Sequence, residues 1–354
     1  MVNSPLISLR DLHKWVLPSH GLSVDTIDAH SGGQTLRLIL NGLPPLRGAT
    51  LMDRWRDARD NFDHLRRSLL CEPRGHPEMC GCLLTPPQRG DSHFGAVFLH
   101  AGGFSPMCGH GIIALTTILL ECGMIEMTSP ETLLRIDTPA GVVRAAGRIA
   151  ENRVTDVSFE NVPSWPVAEN QSVEVPGWGK VTFDLAYGGA FFAFVQAASL
   201  QLSTQPENAP ALAAAGSAIL QAVNRQGILK HPVEPDLEFL FGVVFLEGEE
   251  PDTLSGTVSR QVCVFADGSV DRSPTGMALC ARLALMSKHR RIADGQPMTV
   301  ESITGSRFKG RIVARAEASP PGSVICEIEG RAWITGRHTF LISPDDPFRD
   351  GFFL

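Results

Sequence analysis

Two segments of this chain are too apolar to lie on a protein surface, and the rest of the sequence has to be arranged around them. Residues 109 to 122, "GHGIIALTTILLEC", and 275 to 291, "TGMALCARLALMSKHRR", have helical periodicity with hydrophobic side chains on nearly every face. A helix that is apolar all round is a buried helix. The wrapping comes from β-rich runs. From Leu22 onward stretches such as "LSVDTIDAH", "GAVFLH", "VTDVSFENV", "FFAFVQA" and "QVCVFAD" alternate with turn residues and outnumber the helical ones. Two further helices are expected, over 50 to 71 with Arg on one face and over 208 to 227, rich in Ala. The expected class is α/β (α+β), a buried helix inside a curled, mostly antiparallel sheet, twice over.

The two helix starts match one another sparsely. Aligned on Cys108 and Thr275, both have Ser-Pro shortly upstream, then Gly (Gly109, Gly276), a small residue (Gly111, Ala278) and Ala (Ala114, Ala281) at the same offsets. Their separation is close to half of the 354 residues, which fits two pseudo-symmetric domains. The boundary is expected near residue 180, after the turn-rich "VPGWGK", giving halves of 1–180 and 181–354. The tail from about 340 to 354 is expected to cross back to the first half.

Composition narrows the partners. The net charge is −7, and no basic run exceeds "HLRR" (64 to 67) or "KHRR" (288 to 291), which read as solvated helix faces, so nucleic acid is not expected. No apolar run reaches the roughly 18 to 20 residues of a membrane span. The first 21 residues lack a charged segment followed by an apolar core and include Asp11, so neither a secretory signal nor a transit peptide is expected. The eight cysteines are too sparse for a disulfide scaffold and read as thiols of a reducing compartment, the cytoplasm. A homodimer is compatible with these features but not required by them.

Chemistry concentrates at the helix starts. A helix N-terminus offers unpaired N–H groups and about half a positive charge, so it attracts carboxylates and lowers the pKa of a cysteine placed there. Cys108 has that position, beside His110 and two glycines that let a ligand approach. The alternative is a buried structural thiol. Thr275 reads either as a helix cap or as part of a site in which "DRSPTG" supplies an acid, Asp271, and free N–H groups for a small zwitterion. "RGHPEMCGC" (74 to 82) brings His76, Cys80 and Cys82 together, but Cys-X-Cys without a second ligand pair is not zinc spacing, so no metal is expected. The Gly-Gly of "YGGAFFAFVQA" reads as a bulge or a ligand contact.

Taken together, "IDAHSGGQTLR" (27 to 37), "EPRGHPEMCG" (72 to 81), "MCGHG" (107 to 111), "YGGAFFAFV" (187 to 195), "DRSPTG" (271 to 276) and "GRAWITG" (330 to 336) resemble the proline racemase family across nearly the whole chain. The resemblance implies the fold shared with diaminopimelate epimerase, two pseudo-symmetric halves around a cleft, and a small amino acid as the substrate, with no cofactor. Racemases and epimerases of the family carry cysteine at both helix starts. Cys108 with Thr275 is similar to the branch that dehydrates trans-3-hydroxy-L-proline. On that likeness Cys108 removes the Cα proton, and the N–H groups of Gly109, His110, Gly276 and Met277 hold the carboxylate. Asp271 pairs with the ring nitrogen, and Thr275 replaces the second base. The chain departs from the family's pattern at Met277, Ala278, Gln34 and Ser31. Rival expectations are an epimerase using Cys280 as its second thiol, and a binding protein that has kept the fold.

Overall fold

The computed structural model describes residues 17–247, 258–316 and 320–353. Asp11, with the stretch around it, and Leu354 lie outside the described residues. The first repeat runs β1 (Leu22–Ser31), β2 (Gln34–Ile39), α1 (Leu51–Asn61), α2 (Asp63–Leu70), β3 (Cys80–Thr85), β4 (Phe94–His100) and β5 (Gly103–Ser105). It continues with α3 (Gly109–Glu121), β6 (Glu131–Thr138), β7 (Gly141–Ala150), β8 (Arg153–Glu160) and β9 (Trp165–Val175). The second runs β10 (Gly179–Tyr187), β11 (Phe191–Gln196), α4 (Ala209–Arg225), β12 (Leu240–Glu247), β13 (Ser259–Phe265) and α5 (Gly276–Lys288). It ends with β14 (Met298–Glu301), β15 (Arg307–Arg315), β16 (Val324–Gly330) and β17 (Ala332–Ile342).

All these strands belong to one hydrogen-bonded sheet, and its pairings repeat. In the first repeat β1–β2 and β3–β4 are antiparallel, while β2–β3 and β4–β6 are parallel. In the second, β10–β11 and β12–β13 are antiparallel, while β11–β12 and β13–β14 are parallel. Parallel neighbours need a long crossover, and these crossovers carry the helices: α3 leads from β4 to β6, and α5 from β13 to β14.

The last strand of each repeat leaves its own half. β9 follows β8 in sequence but pairs with β10 and packs on α5. β17 follows β16 after the single residue Arg331 and pairs with β1 along its whole length, from Leu22 opposite Ile342 to Ser31 opposite Ala332. In space the layer around α5 therefore begins at Trp165, ahead of residue 180, and the layer around α3 includes β17. Beyond β17 the chain stays on the first half, where Arg74 and Asp346 approach to 2.6 Å and the Phe352 N–H donates to the Glu72 carbonyl at 3.0 Å. β8 pairs with β16 and joins the halves.

Wrapped in this way, α3 is buried from Gly109 to Leu120 and α5 from Gly276 to Ser287. The apolar stretches demanded that enclosure. Other local expectations need correction. The helix expected over 50 to 71 is broken at Phe62, whose backbone (φ −124°, ψ 17°) leaves the helical region between α1 and α2. Within "HLRR", Arg66 is not solvated: it is buried and donates to the His100 and Ala101 carbonyls. Gly188 and Gly189 are not a bulge within a strand. They form the turn between β10 and β11, and a Cβ on Gly188 would sit 2.1 Å from the Met277 carbonyl oxygen and 2.8 Å from the Ala281 nitrogen.

Gly188→Ala is therefore expected to push the first turn of α5 out of place. Overpacking of this kind costs about 1–3 kcal/mol, which a shift of the urea unfolding midpoint measures; an unchanged midpoint would mean that α5 has room to move.

Candidate active site

The starts of α3 and α5 meet head to head. A Cβ on Gly109 would lie 3.0 Å from the Gly276 Cα and 3.3 Å from the Gly276 and Met277 nitrogens, and a Cβ on Gly276 would lie 3.4 Å from the Gly109 Cα. Only glycine allows this approach. Two sets of first-turn N–H groups, left without partners by helical bonding, thus converge on one spot. Both helix dipoles add positive potential there, so an anion is the natural occupant.

Around that spot Cys108, Gly109, His110, Asp271, Thr275, Gly276 and Met277 line a single cavity, closed further by Cys80, Leu99, His100, Ser105, Phe241 and Phe265. Its free space is about 30 Å³, room for a water or two. The cavity is lined from both halves. The pair His100–Asp267, 3.6 Å apart, ties them together across the cleft.

Cys108 is the N-cap residue of α3 but makes no capping bond with its side chain. Its sulfur instead lies 3.4 Å from the His110 Nδ1. A Cβ on Gly111 would lie 2.9 Å from that sulfur, so the third position has to be glycine in this half. Burial raises the Cys108 pKa, and the neighbouring Cys80 thiol adds to it by hydrogen bonding and repulsion. Burial opposes the charge of His110, but Cys80, Asp271 and the Thr35 carbonyl outweigh it and raise its pKa, favouring the imidazolium.

Thr275 is not a conventional cap. Its backbone is left-handed (φ 57°, ψ 84°), a strained conformation for a β-branched residue, and its hydroxyl makes no bond to the helix. The hydroxyl donates to Asp271 Oδ2 at 2.6 Å, while Asp271 Oδ1 accepts the Ser273 N–H at 2.8 Å. Burial raises the Asp271 pKa; the positive charge of His110 pulls the other way. A cationic ring nitrogen in the cavity would satisfy this buried carboxylate.

The loop carrying Asp271 is held by the first half. The Arg272 N–H donates to Gln34 Oε1 at 2.9 Å, and Gln34 Nε2 donates to the Glu78 carbonyl at 2.7 Å, a double role that needs an amide. Arg272 also meets Glu78 at 3.2 Å. Cys280 is fully buried and packs with Cys326, whose thiol donates to the Cys280 carbonyl at 3.7 Å, so it does not line the cavity. The residues weighed for zinc separate. His76 is half-buried beside Glu78, Cys82 is buried in β3, and Cys80 faces the cavity. Among the described residues no three His, Cys, Asp or Glu side chains are grouped as a metal site. Sequence reasoning missed Cys80, Leu99, His100, Ser105, Phe241 and Phe265 as cavity residues; of these the sequence offers only Cys80 as a reactive group, and there as part of the doubtful zinc cluster.

A family model described as "Proline racemase" matches residues 26–353. The chain belongs to the proline racemase family. Among its relatives, a protein of Colwellia psychrerythraea named trans-3-hydroxy-L-proline dehydratase is 43% identical over 94% of this chain and 93% of its own length. A Homo sapiens protein of the same name is 41% identical over 96% of this chain and 97% of its own. Among solved structures, a hydroxyproline epimerase from Agrobacterium vitis with bound trans-4-hydroxy-L-proline superposes with a TM-score of 0.88, 30% identity, and 96% coverage of both chains. The fold is thus that of the family.

The ion pair across the cleft has a pH signature. Burial opposes ionisation of Asp267, but His100 and Ser269 hold its pKa down to about 2, against an ordinary 3.8. A depressed carboxylate stabilises the fold above its unfolded pKa and loses that stabilisation as the pH falls toward 2. The expected contribution is about 2 kcal/mol. Denaturant titrations at neutral and acid pH should show Asp267→Asn less stable than the native protein at neutral pH, with the difference vanishing in acid.

Proposed function

We propose that this protein is a trans-3-hydroxy-L-proline dehydratase, a cofactor-independent hydro-lyase giving Δ1-pyrroline-2-carboxylate. The observation that carries this reading is the asymmetry of two otherwise matching helix starts, a thiol at Cys108 and a hydroxyl at Thr275, in one cavity. The names of the dehydratase relatives support it. Inversion at Cα needs a base on one face and an acid on the other. A threonine hydroxyl is too weak an acid for that exchange, and here it is already committed to Asp271. Elimination needs only one face.

In this reading the substrate carboxylate sits between the helix starts, on the N–H groups of Gly109, His110, Gly276 and Met277. Asp271 holds the ring nitrogen, and Cys108 takes the Cα proton. The same N–H groups stabilise the enolate-like charge that develops as the proton leaves. In the trans isomer the 3-hydroxyl lies opposite the carboxylate, hence on the face of the Cα hydrogen and of Cys108. Loss of water gives an enamine that tautomerises to the imine. Met277 keeps its main-chain donor while its side chain narrows the pocket. The free thiols favour a reducing, cytoplasmic setting, and the reading involves a small imino acid alone, with neither nucleic acid nor membrane. No helix among the described residues is long and apolar enough to cross a membrane.

Incubation with trans-3-hydroxy-L-proline, trans-4-hydroxy-L-proline and L-proline should yield imine from the first and no inverted product from any. Appearance of the cis or D isomer would instead mark an epimerase. Cys108→Ser should cut turnover by about 10²–10⁴ without loss of fold, since a serine alkoxide is out of reach near neutral pH.

Thr275→Cys should acquire a trace of inversion, read as Cα-deuterated D or cis product in heavy water. The gain is expected to be small, because a misplacement of about 1 Å can cost two orders of magnitude in rate. Inversion by the unaltered protein at a rate comparable with dehydration would sink the assignment of Thr275.

A further inference from the structure

Dehydration needs a proton for the departing hydroxyl as well as a base for Cα, and an ion pair in the cavity wall is built to hold one. His100 ends β4, opposite Cys80 in the register of β3 and β4, and its side chain both lines the cavity and meets Asp267 of the other half. We propose that His100, positioned by Asp267, is the acid that protonates the leaving 3-hydroxyl. This rests on the dehydratase reading above and adds a catalytic residue to it.

The pair is fixed from several sides. Asp267 Oδ1 accepts the N–H and the hydroxyl of Ser269, at 3.0 and 2.5 Å, which leaves Oδ2 to face His100 Nδ1 at 3.6 Å. The turn after β4 makes room for that carboxylate, since a Cβ on Gly102 would overlap the Asp267 side chain. The His100 ring stands edge-on to Phe241, with 5.9 Å between centroids and 89° between planes, and Phe241 is itself part of the cavity wall. A carboxylate against one ring nitrogen sets which nitrogen the imidazole presents to a reactant. Here that nitrogen is Nε2, and among the described residues it has no hydrogen-bond partner.

The other imidazole and hydroxyl groups of the wall are spent. The Thr275 hydroxyl donates to Asp271, and the Ser105 hydroxyl to the Met107 carbonyl. His110 is held at both nitrogens, Nε2 3.3 Å from the Thr35 carbonyl and Nδ1 3.4 Å from the Cys108 sulfur, so it serves the base. The Cys108 thiolate removes the Cα proton, the C–H electron pair forms the Cα–C3 double bond, and the C3–O bond breaks with its pair on oxygen. The His100 imidazolium gives its Nε2 proton to that oxygen, which leaves as water. Cys108 is then a thiol and His100 neutral. After product release the thiol returns its proton to solvent and His100 takes one up, so the protein ends unchanged.

The test compares two leaving groups, hydroxide, which needs an acid, and fluoride, which needs far less help. His100→Asn keeps a donor toward Asp267, and His100→Gln puts an amide where Nε2 stands; neither has a proton to give. Both are assayed with trans-3-hydroxy-L-proline and trans-3-fluoro-L-proline. Water loss should fall by at least about 100-fold, and fluoride release by less than about tenfold. Asp267→Asn should move the ratio of the two rates in the same direction, and an unmoved ratio there would remove Asp267 from the proposal. Equal falls for both substrates in the His100 variants would make His100 a residue of the fold and overturn the assignment. Undiminished water loss would overturn it as well, leaving the proton to another donor. Cys108→Ser, which should lose both reactions, separates the two levels. If it keeps either, or if the unaltered protein releases no water from trans-3-hydroxy-L-proline, the underlying reading fails and the role of His100 falls with it.

Discussion

The structure depends on holding two helix N-termini against each other. Gly109 and Gly276 approach closely, so two positive dipole ends and two sets of unpaired N–H groups share one small, enclosed space. Such an arrangement is unfavourable when empty, and each end gains up to about 2 kcal/mol from a partly buried anion. The protein accepts this because both helices are locked from outside. Each is buried along almost its entire length by its own half of the sheet, and neither can slide back without exposing Ile, Leu and Met side chains to water.

The exchanged strands set the angle at which the ends meet. β9 and β17 each belong to one repeat by sequence and to the other half by hydrogen bonding, and the β8–β16 pairing stitches the halves along a shared seam. The cleft between them is bridged by polar contacts of a different kind. Gln34 holds the backbone of the Asp271 loop, Arg272 meets Glu78, and His100 meets Asp267. Side-chain contacts of this sort can release and reform as the cavity admits a ligand, whereas the strand seam cannot.

On this nearly symmetric backbone the side chains are asymmetric. The first helix start has a thiol with a histidine, and a second thiol lines the same cavity; the other has a hydroxyl spent on a buried carboxylate. The thiol and imidazole therefore gather at one helix start and the hydroxyl and carboxylate at the other. Symmetry supplies the anion hole, and its local breaking selects elimination over inversion.

The sequence by itself determined the two buried helices, the enclosing sheet and the positions of Cys108 and Thr275, because apolar periodicity and helix-start chemistry are local properties. The recurring motif blocks carried the family as well. Sequence did not disclose the break at Phe62, the burial of Arg66 or the role of Gly188, since each depends on what packs against it from far along the chain. Nor could it separate a capping threonine from one that turns its hydroxyl to Asp271. Cys80 is the plainest case. Read locally, it belongs with His76 and Cys82 as a doubtful metal cluster. Only the register of β3 against β4 and the placing of α3 above the sheet bring its side chain to the cavity that Cys108 lines, an arrangement that exists only once the sheet has closed.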